Sequence, residues 1–407
     1  MQRIVIIGGG ASGLIAALTA KNDLNEVTIL ERNEMCGKKL SITGNGRCNF
    51  YNENQDISNY FSSNKELLNN IINTKNTSKV IKLFNDIGIV YKVKNGWYYP
   101  FSNQATTIRN ALIEEVGRKD INIINNFNVG KVEKKDSYFS IYSDDQVIKA
   151  DKVIIAIGSK ASINKTYEKD QYNILENLSH TVIKCLPTLV PLKLKFKYGK
   201  DWSGVRTEAI VKLIENDKEI ASEEGEIQLT DYGISGICTF NISGLAVKGL
   251  ENKNTEIIRI NFLPFINGIE DFYRLLDKYD KELTISQILD RIINYKLGNA
   301  ILKYSNIAKE KKLSAMTAND KEVLANNLLS LDLEITGHKG FDSAQVSSGG
   351  ISLSEINLNT MESKKIKNLY FTGEVLDADG KCGGYNLTFA FVTAILAGED
   401  VSKNDRN

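Results

Sequence analysis

The stretch that decides the fold of this 407-residue chain is Ile6-Ile7-Gly8-Gly9-Gly10-Ala11-Ser12-Gly13-Leu14. Residues 4–7 form a short apolar run, which is typical of a parallel strand that is covered on both faces. From Leu14 onward apolar residues recur at helical spacing, and residues 27–30 form a second apolar run that ends at Glu31. The pattern therefore predicts a strand, a glycine turn, a helix and a second strand.

The three spaced glycines of this turn suit a dinucleotide. Gly8 permits the tight turn, Gly10 lets the backbone approach a pyrophosphate, and Gly13 lets the helix pack closely on the strand. The first N–H groups of the helix then face the phosphates. Glu31 follows Gly13 by 18 residues, where a carboxylate accepts hydrogen bonds from an adenosine ribose and repels a 2′-phosphate. We therefore predict a dinucleotide site that disfavours NADP; the alternative is a glycine turn without a ligand.

Composition places the chain among ordinary folded proteins, with 42% hydrophobic and 25% charged residues. These values exclude a disordered chain, a collagen and a coiled coil. Lys and Arg total 51 against 50 Asp and Glu, so the net charge is +1. Such a chain has no broad electrostatic footprint for nucleic acid, and we expect a small-molecule substrate and no nucleic-acid partner.

Cysteine and histidine usage limits the chemistry. The five cysteines include no CxxC pair, and there are only two histidines, so we expect neither a disulfide framework nor a metal site. A reducing cytoplasm is the simplest compartment for such a chain. No apolar run reaches the roughly 18 residues that a membrane span needs, and the first residues lack the order of a secretory leader. We therefore predict a cytoplasmic protein without a membrane span, and leave its oligomeric state open.

Periodicity organises the rest of the chain. Residues 64–88 predict a helix, and residues 120–149 predict short strands. Apolar runs at 151–158 and 369–373 each end in glycine and predict further buried strands, and residues 387–396 predict a C-terminal helix.

The middle of the chain has a different character. Residues 190–196 alternate with period two, which is typical of a half-exposed antiparallel strand, and residues 215–218 predict a hairpin. From residue 268 the period becomes helical, and Thr284-Ile285-Ser286-Gln287 fits a capping box. Strand character returns at 332–336.

The C-terminal part distinguishes FAD from NAD. Residues 372–378 follow an apolar strand, at a place where FAD proteins with two dinucleotide-binding domains hold a glycine and an acid near the ribityl chain. Residues 383–387 then begin a helix whose N–H groups would meet the pyrimidine edge of a flavin. A simple NAD dehydrogenase does not need the chain to return in this way, so we predict FAD.

Several motifs along the chain resemble one bacterial flavoprotein family, and the resemblance covers nearly the whole chain. Members of this family are identified as NAD(P)/FAD-dependent oxidoreductases or aminoacetone oxidase-family FAD-binding enzymes, and some are assigned to unsaturated bile-acid or steroid rings. The matching segments are residues 6–14, Gly37-Lys38-Lys39-Leu40, Thr43-Gly44-Asn45-Gly46-Arg47-Cys48-Asn49, Tyr99-Pro100-Phe101-Ser102, residues 187–192, Gly225-Glu226, residues 230–236, Gly349-Gly350-Ile351, residues 360–364, residues 373–377 and Gly383-Gly384-Tyr385-Asn386-Leu387.

The resemblance, together with the patterns above, implies the fold class and the domains. The class is α/β: a Rossmann-like two-dinucleotide-binding-domain flavoprotein fold with an inserted β-barrel-like domain and a small helical domain. The expected FAD-binding domain comprises residues 1–186 and 341–407. The β-rich insertion comprises 187–267 and 331–340, and the helical domain comprises 268–330.

The glycine motif and the resemblance together give a set of expected cofactor-binding residues. The set places Gly46 to Asn49 near the flavin and Gly384 to Leu387 at its pyrimidine side. Its members are Gly8, Gly10, Ala11, Ser12, Gly13, Glu31, Arg32, Lys39, Leu40, Thr43, Gly44, Asn45, Gly46, Arg47, Cys48, Asn49, Val129, Ala156, Gly158, Gly373, Glu374, Asp377, Gly383, Gly384, Tyr385, Asn386 and Leu387.

Three side chains are candidates for catalysis, each with a structural alternative. Arg47 would stabilise a reduced flavin or hold an anionic substrate, or else form a loop ion pair. Tyr385 would donate a proton, or else pack as an aromatic residue at a helix start. His338 would transfer a proton, or else serve as a satisfied structural histidine.

One segment departs from the resembled family. The family usually has ATGG followed by a glycine-rich GSTGDG segment, whereas this chain has Ala156-Ile157-Gly158-Ser159 and then bulkier, charged residues at 166–172. We expect the departure to change the substrate pocket more than FAD binding.

Three reactions remain open. The first is an FAD-dependent reduction of an activated C=C bond, such as an enone, with NAD(P)H as a transient donor, since the chain has no second GxGxxG for a dedicated nicotinamide domain. The second is oxidation of a small amine such as aminoacetone, which gives hydrogen peroxide. The third is a flavin-binding protein with a non-redox or RNA-modification role.

Overall fold

The computed structural model describes residues 1–144, 146–161, 172–176 and 178–403. Its contacts divide the chain into two units, the first comprising Met1–Cys185 and Val346–Asn407 and the second comprising Leu186–Gln345. The division into three domains, with a separate helical domain, stays a prediction. Within the described ranges, no helix combines the length and the apolarity that a bilayer crossing requires.

The first unit contains most of the strands and the C-terminal helix. Its strands are β1 Gln2–Ile7, β2 Asn25–Leu30, β3 Tyr51–Asn52, β4 Tyr60–Phe61, β5 Tyr91–Lys94, β6 Trp97–Pro100, β7 Asn122–Ile124, β8 Lys131–Lys134, β9 Phe139–Tyr142, β10 Val147–Ala150, β11 Lys152–Ile155, β12 Val182–Thr188 (which runs into the second unit), β19 Val346–Ile351, β20 Leu369–Phe371 and β21 Asp379–Gly380. Its helices are α1 Ala11–Ala20, α2 Thr43–Gly46, α3 Leu68–Ile71, α4 Thr74–Asp86, α5 Ala105–Arg118, α6 Asn173–Glu176 and α13 Tyr385–Val401.

The second unit combines a barrel with helices. Its strands are β13 Leu192–Leu194, β14 Arg206–Glu215, β15 Lys218–Leu229, β16 Gly233–Ser235, β17 Glu256–Asn261 and β18 Leu331–His338. Its helices are α7 Gly199–Trp202, α8 Ile237–Glu251, α9 Ile269–Leu276, α10 Ile285–Leu289, α11 Tyr295–Tyr304 and α12 Ala318–Leu329.

A five-stranded parallel sheet forms the centre of the first unit, in the order β20-β11-β1-β2-β7. Residues 4–7 are almost fully buried because β1 lies between β11 and β2, which confirms the strand prediction from the apolar run. Strand β20 pairs in parallel with β11, so the C-terminal segment returns to the sheet that the N-terminus begins. The Rossmann-like α/β fold class is therefore confirmed.

A closed antiparallel barrel forms the centre of the second unit, in the order β13-β16-β15-β14-β17-β18. The predicted hairpin is present between β14 and β15, and its two turn residues, Asn216 and Asp217, both have positive φ angles (48° and 65°), as a tight two-residue hairpin requires. The predicted capping box is also present, because Thr284 and Gln287 cap each other at the start of α10. Barrel residues and the helices α9 to α12 share one hydrophobic core.

Three expectations from periodicity need correction. Residues 64–88 are not one helix, because the chain breaks at Ile72 and Asn73 and the Asn73 side chain caps the new helix α4. The strand expected over 190–196 is limited to β13, because its register with β18 shifts between Lys193 and Leu194. The C-terminal helix is longer than 387–396, since apolar residues continue on its buried faces to Val401.

Candidate functional site

The first glycine turn connects β1 to α1. Gly8 has a φ of +105°, and a Cβ on it would overlap the carbonyl oxygen of Ala156. A Cβ on Gly13 would overlap the carbonyl oxygen of Gly8, so both positions are closed to any side chain. Gly10, by contrast, has room for a side chain, because no atom lies within 4 Å of the position that its Cβ would occupy. The turn is thus tightly packed on one side and open at Gly10, as a backbone that approaches a pyrophosphate must be.

The side chain of Glu31 is hydrogen-bonded to this turn. Its side chain is 6% exposed, and one carboxylate oxygen accepts a hydrogen bond of 2.7 Å from the backbone N–H of Gly9. The other oxygen accepts from the backbone N–H of Asn33 at 2.8 Å and from its side-chain amide. These bonds fix the carboxylate at the end of β2, and a carboxylate oxygen with one bond still has room to accept another from a ribose hydroxyl.

Two residues beside this turn were not identified from the sequence. Cys36 is buried against Gly9, where a Cβ on the glycine would overlap the cysteine Sγ. Burial and the charge of Glu31 raise the pKa of the Cys36 thiol to about 12, so it is a neutral packing group at physiological pH. Arg109 donates from Nε to the carbonyl oxygen of Cys36 at 2.8 Å and so holds the loop after the turn. A lone cysteine and a helical arginine carry no sequence pattern that would have revealed these contacts.

The second glycine-rich segment, residues 43–48, is a tight left-handed turn. Gly44, Asn45, Gly46 and Cys48 have φ angles of 56°, 55°, 78° and 55°. Asn45 suits this turn, because Asn tolerates the left-handed region better than other residues that carry a Cβ. The side chain of Arg47 is exposed and makes no hydrogen bond or ion pair among the described residues, while Cys48 is fully buried. The turn therefore presents Arg47 outward.

Tyr99 is the aromatic neighbour of Arg47. Burial raises the pKa of the Tyr99 hydroxyl, and the positive charge of Arg47 partly offsets the rise. Tyr99 lies on β6, next to Tyr98, whose carbonyl oxygen accepts a hydrogen bond of 3.0 Å from the N–H of Phe50. The guanidinium of Arg47 and the hydroxyl of Tyr99 therefore lie close enough to interact electrostatically at the surface of the first unit.

Residues near the start of α13 meet the segment after Arg47. The side-chain amide of Asn52, which is buried, donates to the carbonyl oxygen of Gly383 at 2.9 Å. A Cβ on Gly384 would lie 2.9 Å from the side-chain amide of Asn49 and from the backbone nitrogen of Tyr51. The structure thus brings together two motifs that are more than 330 residues apart in the sequence, and only glycine permits the contact.

The first residues of α13 have different surroundings. Tyr385 is 7% exposed, and its ring packs edge-on against Tyr60 with centroids 5.4 Å apart. The Asn386 side chain accepts from the N–H of Gly380 and donates to its carbonyl oxygen, both at 2.8 Å, so it fixes the preceding loop. Leu387 packs against the core of the first unit. Gly384, which precedes the helix, provides no side chain to cap its N–H groups.

The Gly373-Glu374 segment connects to both N-terminal motifs. Lys39 forms an ion pair of 2.7 Å with Glu374. A Cβ on Gly373, where φ is +73°, would lie 2.7 Å from the hydroxyl of Ser12. Asp377 is buried and accepts hydrogen bonds from the side chains of Ser62 and Ser63 and from the backbone of Ser63. Its carboxylate therefore fixes the 62–63 loop.

The other expected cofactor residues lie around the same sheet. Ala156 is buried at the end of β11, and Gly158 has a φ of +75° with open space at the place of its Cβ. Val129 is half-buried against the core of the first unit. Leu40 is buried, Ala11 and Arg32 are half-buried, and Thr43 donates from its hydroxyl to the carbonyl oxygen of Leu40 at 2.8 Å. The departure at 166–172 lies, apart from Tyr172, outside the described residues.

His338 belongs to the second unit. It lies at the end of β18, opposite Leu192 of β13, and its Nδ1 accepts a hydrogen bond of 3.1 Å from the N–H of Gly340. Burial, followed by the nearby charge of Lys193, lowers its pKa. Its role in proton transfer stays a prediction.

The described residues fit the expected cofactor. Gly10, Gly46 and Gly158 each face open space where a side chain would intrude, and they come from three separate motifs of the first unit. The exposed guanidinium of Arg47 and the uncapped N–H groups of α1 and α13 supply positive potential and hydrogen-bond donors. The assignment of individual residues to the cofactor stays a prediction.

Comparison with known proteins identifies the family. A family model described as "HI0933-like protein Rossmann domain" matches residues 2–400. A 3-dehydro-bile acid delta(4,6)-reductase from Clostridium scindens is 36% identical over 403 residues, which cover 98% of each chain. A ribosomal RNA dihydrouridine synthase from Escherichia coli is 24% identical over 397 residues, which cover 98% of this chain and 97% of that one.

One solved structure supports the fold alone. It is the 3-ketosteroid-delta4-(5alpha)-dehydrogenase from Rhodococcus jostii in complex with 4-androstene-3,17-dione, with a TM-score of 0.51 and 10% identity over 99% of this chain and 97% of that one. With the family match and the whole-length relative, the predictions of a flavoprotein and of an enzyme are confirmed. The chain belongs to the HI0933-like family of FAD-binding Rossmann proteins and is an FAD-dependent oxidoreductase.

Proposed function

We propose that the chain reduces a C=C bond conjugated to a carbonyl group in a small or steroid-like organic substrate, with NAD(P)H as the electron donor. The observation that carries the proposal is the 36% identity, over 98% of both chains, to a protein named as a delta(4,6)-reductase of 3-dehydro bile acids. A 3-oxo group conjugated to such double bonds is an enone. The same reaction class therefore suits this chain, while the substrate skeleton belongs to the proposal.

The second relative supports the reaction class independently. Dihydrouridine is uridine whose ring C=C bond, conjugated to a carbonyl group, has been reduced. The names of the two relatives thus describe one chemical step on different substrates. That common step is why we favour reduction of an activated C=C bond over the oxidation of a small amine.

Arg47 is the residue that we assign to the substrate oxygen. Bound FAD supplies the hydride chemistry. As hydride reaches the β-carbon of an enone, negative charge develops on the carbonyl oxygen, and a positioned donor stabilises that charge. Arg47 has the necessary donors, because its guanidinium is exposed and has no hydrogen-bond partner among the described residues. The left-handed turn of residues 43–48 holds its backbone, which reduces the entropy cost of positioning.

Tyr99 adds a second polar group beside Arg47. We assign it to substrate orientation in this chain. Replacement of Tyr99 by Phe is therefore expected to raise KM and to leave kcat nearly unchanged.

The first test of the proposal is anaerobic reduction of the purified holoenzyme. NADH and NADPH are added separately without oxygen while the visible flavin absorbance is followed, and an enone such as a 4-en-3-one steroid is then added. Rapid bleaching by one nucleotide and recovery of absorbance with the enone support the proposal. A flavin that neither nucleotide reduces, but that a small amine does, contradicts it and supports the amine oxidase.

Arg47 variants separate the two halves of the reaction. Arg47→Gln is expected to slow flavin reoxidation by the enone about 100-fold, the typical cost of one lost oxyanion donor, with bleaching by NAD(P)H much less affected. Arg118→Gln, on the exposed side of α5, is the matched control and should match the unmodified enzyme in both halves. Equal slowing of both halves in Arg47→Gln would contradict the assignment.

RNA modification is the second candidate function, because two relatives at 24% and 25% identity are named as ribosomal RNA dihydrouridine synthases. The net charge of +1 weighs against it. The reduced enzyme is offered unmodified ribosomal RNA in place of the enone. Reoxidation by RNA, with dihydrouridine in the product and no reaction with enones, would replace the small-molecule proposal.

A further inference from the structure

Two carboxyl groups meet in the second unit, in a place that the proposed reaction does not use. Glu215 ends β14 and Glu256 begins β17, and the two are direct partners in the antiparallel register. Glu256 is 2% exposed, and neither of its carboxyl oxygens accepts a hydrogen bond from any described donor group. Glu215 accepts one hydrogen bond of 2.9 Å from the side-chain amide of Asn254. A buried carboxylate left in this state is costly, so the pair requires an explanation.

Helix α8 closes the space around the pair. A Cβ on Gly249 of this helix would overlap one carboxyl oxygen of Glu256 and would lie 2.9 Å from an oxygen of Glu215. Gly249 is two residues from the end of α8, where the helix carries partial negative charge on its last carbonyl groups. Glu215, Gly249, Asn254 and Glu256 therefore form a small cluster, the barrel corner, in which Gly249 and Glu256 are buried and all the charge is negative.

No cation neutralises the barrel corner among the described residues. Charged residues close to the pair in register or in sequence include Lys218, the register partner of Glu215, and Glu334, the register partner of Ile257. Lys248 and Glu251 on α8 and Lys253 in the following loop lie close in sequence. None of them forms an ion pair with Glu215 or Glu256. Burial, followed by the neighbouring carboxyl group of Glu215, raises the pKa of Glu256 to about 8.

We propose that the barrel corner is a binding site for a single proton, shared by the carboxyl groups of Glu215 and Glu256, and that loss of this proton releases the end of α8 from β14 and β17. With the proton present, Glu256 donates its O–H to the Glu215 carboxylate, which is a strong charge-assisted hydrogen bond. Without it, the half-buried Glu215 carboxylate faces a second carboxylate on Glu256, which is 2% exposed. Separation of the helix end lets water reach Glu256.

The sign of the effect follows from linkage. Folded Glu256 keeps its proton up to a pH of about 8, whereas the exposed carboxyl of an opened corner loses it near 4.5. Between these values the closed state binds one more proton than the open state. Each rise of one pH unit in this window therefore increases the ratio of the open to the closed state about tenfold.

The test follows the proton and the opening separately in the full-length holoenzyme. Infrared difference spectra should show a protonated carboxyl band at neutral pH that disappears as the pH rises through about 8, and Glu256→Gln should lack this band. Hydrogen exchange of residues 248–257 should increase about tenfold per pH unit relative to Glu256→Gln at the same pH. The exposed Glu224→Gln is the matched control and should titrate like the unmodified protein.

Three results would overturn the proposal: no protonated band at neutral pH, equal exchange in the unmodified protein and Glu256→Gln, or suppression of exchange at high pH by Ca²⁺ or Mg²⁺ alone, which would make the corner a metal site. If Glu256→Gln does not fold, Glu215→Gln serves instead. It keeps Glu256 buried but removes the neighbouring charge, so the band should remain and should titrate at a lower pH. A band that does not move contradicts sharing. None of these readouts depends on the reaction proposed for the flavin site.

Discussion

Both units contain a strand that leads through a glycine into a helix, and the two turns have opposite surroundings. In the first unit β1 leads into α1, and Gly10 has nothing within 4 Å of the place of a Cβ. In the second unit β16 leads into α8, and a Cβ on Gly236 would lie 3.2 Å from backbone atoms of β15. Neither glycine provides a side-chain cap for the helix that follows. The local pattern alone therefore does not distinguish the two turns, whereas the space around the glycine does.

The largest expected effect is at one glycine of each unit that packs directly against backbone. Gly13→Ala and Gly233→Ala each force a Cβ onto a backbone carbonyl oxygen, of Gly8 and of Leu192 respectively. Each change should lower the free energy of unfolding by about 3 kcal/mol, the upper range for overpacking. Denaturant unfolding of the apoprotein measures this loss. A change below about 1 kcal/mol in either variant would show that the backbone moves easily at that glycine.

Substitution of Gly10, which has free space around it, should differ in its effect from substitution of the tightly packed Gly13. Gly10→Val should leave the stability of the apoprotein unchanged, because its backbone has an ordinary extended conformation and its surroundings are empty. It should weaken FAD binding by about 100-fold, or about 2.7 kcal/mol, because we expect the pyrophosphate to lie where the branched side chain would be. Titration of the apoprotein with FAD, followed by flavin fluorescence, measures the affinity.

Gly117→Ala is the matched control for Gly10→Val. It also has open space at its Cβ, but it lies within α5, away from every glycine motif. Its FAD affinity should equal that of the unmodified protein, and its stability should rise by about 0.5 kcal/mol. Equal FAD affinities of Gly10→Val and Gly117→Ala would disprove the role of Gly10.

A smaller effect is expected at the strand end beside the first turn. Glu31→Gln keeps the shape of the side chain but removes the charge that holds the Gly9 and Asn33 N–H groups. We expect FAD affinity to fall about tenfold, or about 1.4 kcal/mol. The same titration measures it, with the exposed Glu34→Gln as control. Tighter FAD binding in Glu31→Gln would contradict the expected contact with the ribose.

The smallest expected effect is a difference between the two units in how the stability of the fold depends on pH. In the first unit, burial opposes ionisation of Glu355, but hydrogen bonds from Lys365 and Thr181 outweigh it and lower its pKa to about 2. Because this value is below that of an unfolded glutamate, Glu355 stabilises the fold above pH 4.5 and loses that contribution as the pH falls towards 2. Glu256 in the second unit behaves oppositely, since its raised pKa costs stability as the pH rises towards about 8.

Glu355→Gln measures the acid side of this contrast. The variant should be less stable by about 1 kcal/mol at neutral pH, a value reduced for solvent screening, and the difference should vanish near pH 2. Acid unfolding followed by circular dichroism gives both values. A difference that persists unchanged at pH 2 would mean that packing, not charge, is responsible.

Sequence reasoning predicted the elements whose causes are local. The apolar run before Gly8, the hairpin at 215–218 and the capping box at Thr284 depend on residues a few positions apart, and all three are present. Family motifs added the FAD-binding assignment. The pattern failed where neighbours in space override it, as at Ile72 and Asn73, where a side-chain cap divides one expected helix into two segments.

By itself, then, the sequence determined the parallel sheet, the barrel hairpin, the family and the cofactor class. The tertiary structure decided which glycine faces open space, that Cys36 and Arg109 support the first turn, and that Asn52 meets Gly383 across more than 330 residues. It also decided that Glu256 is buried beside Glu215. The physical reason is that burial and empty space are properties of what the rest of the chain places around a residue, and no local pattern contains them.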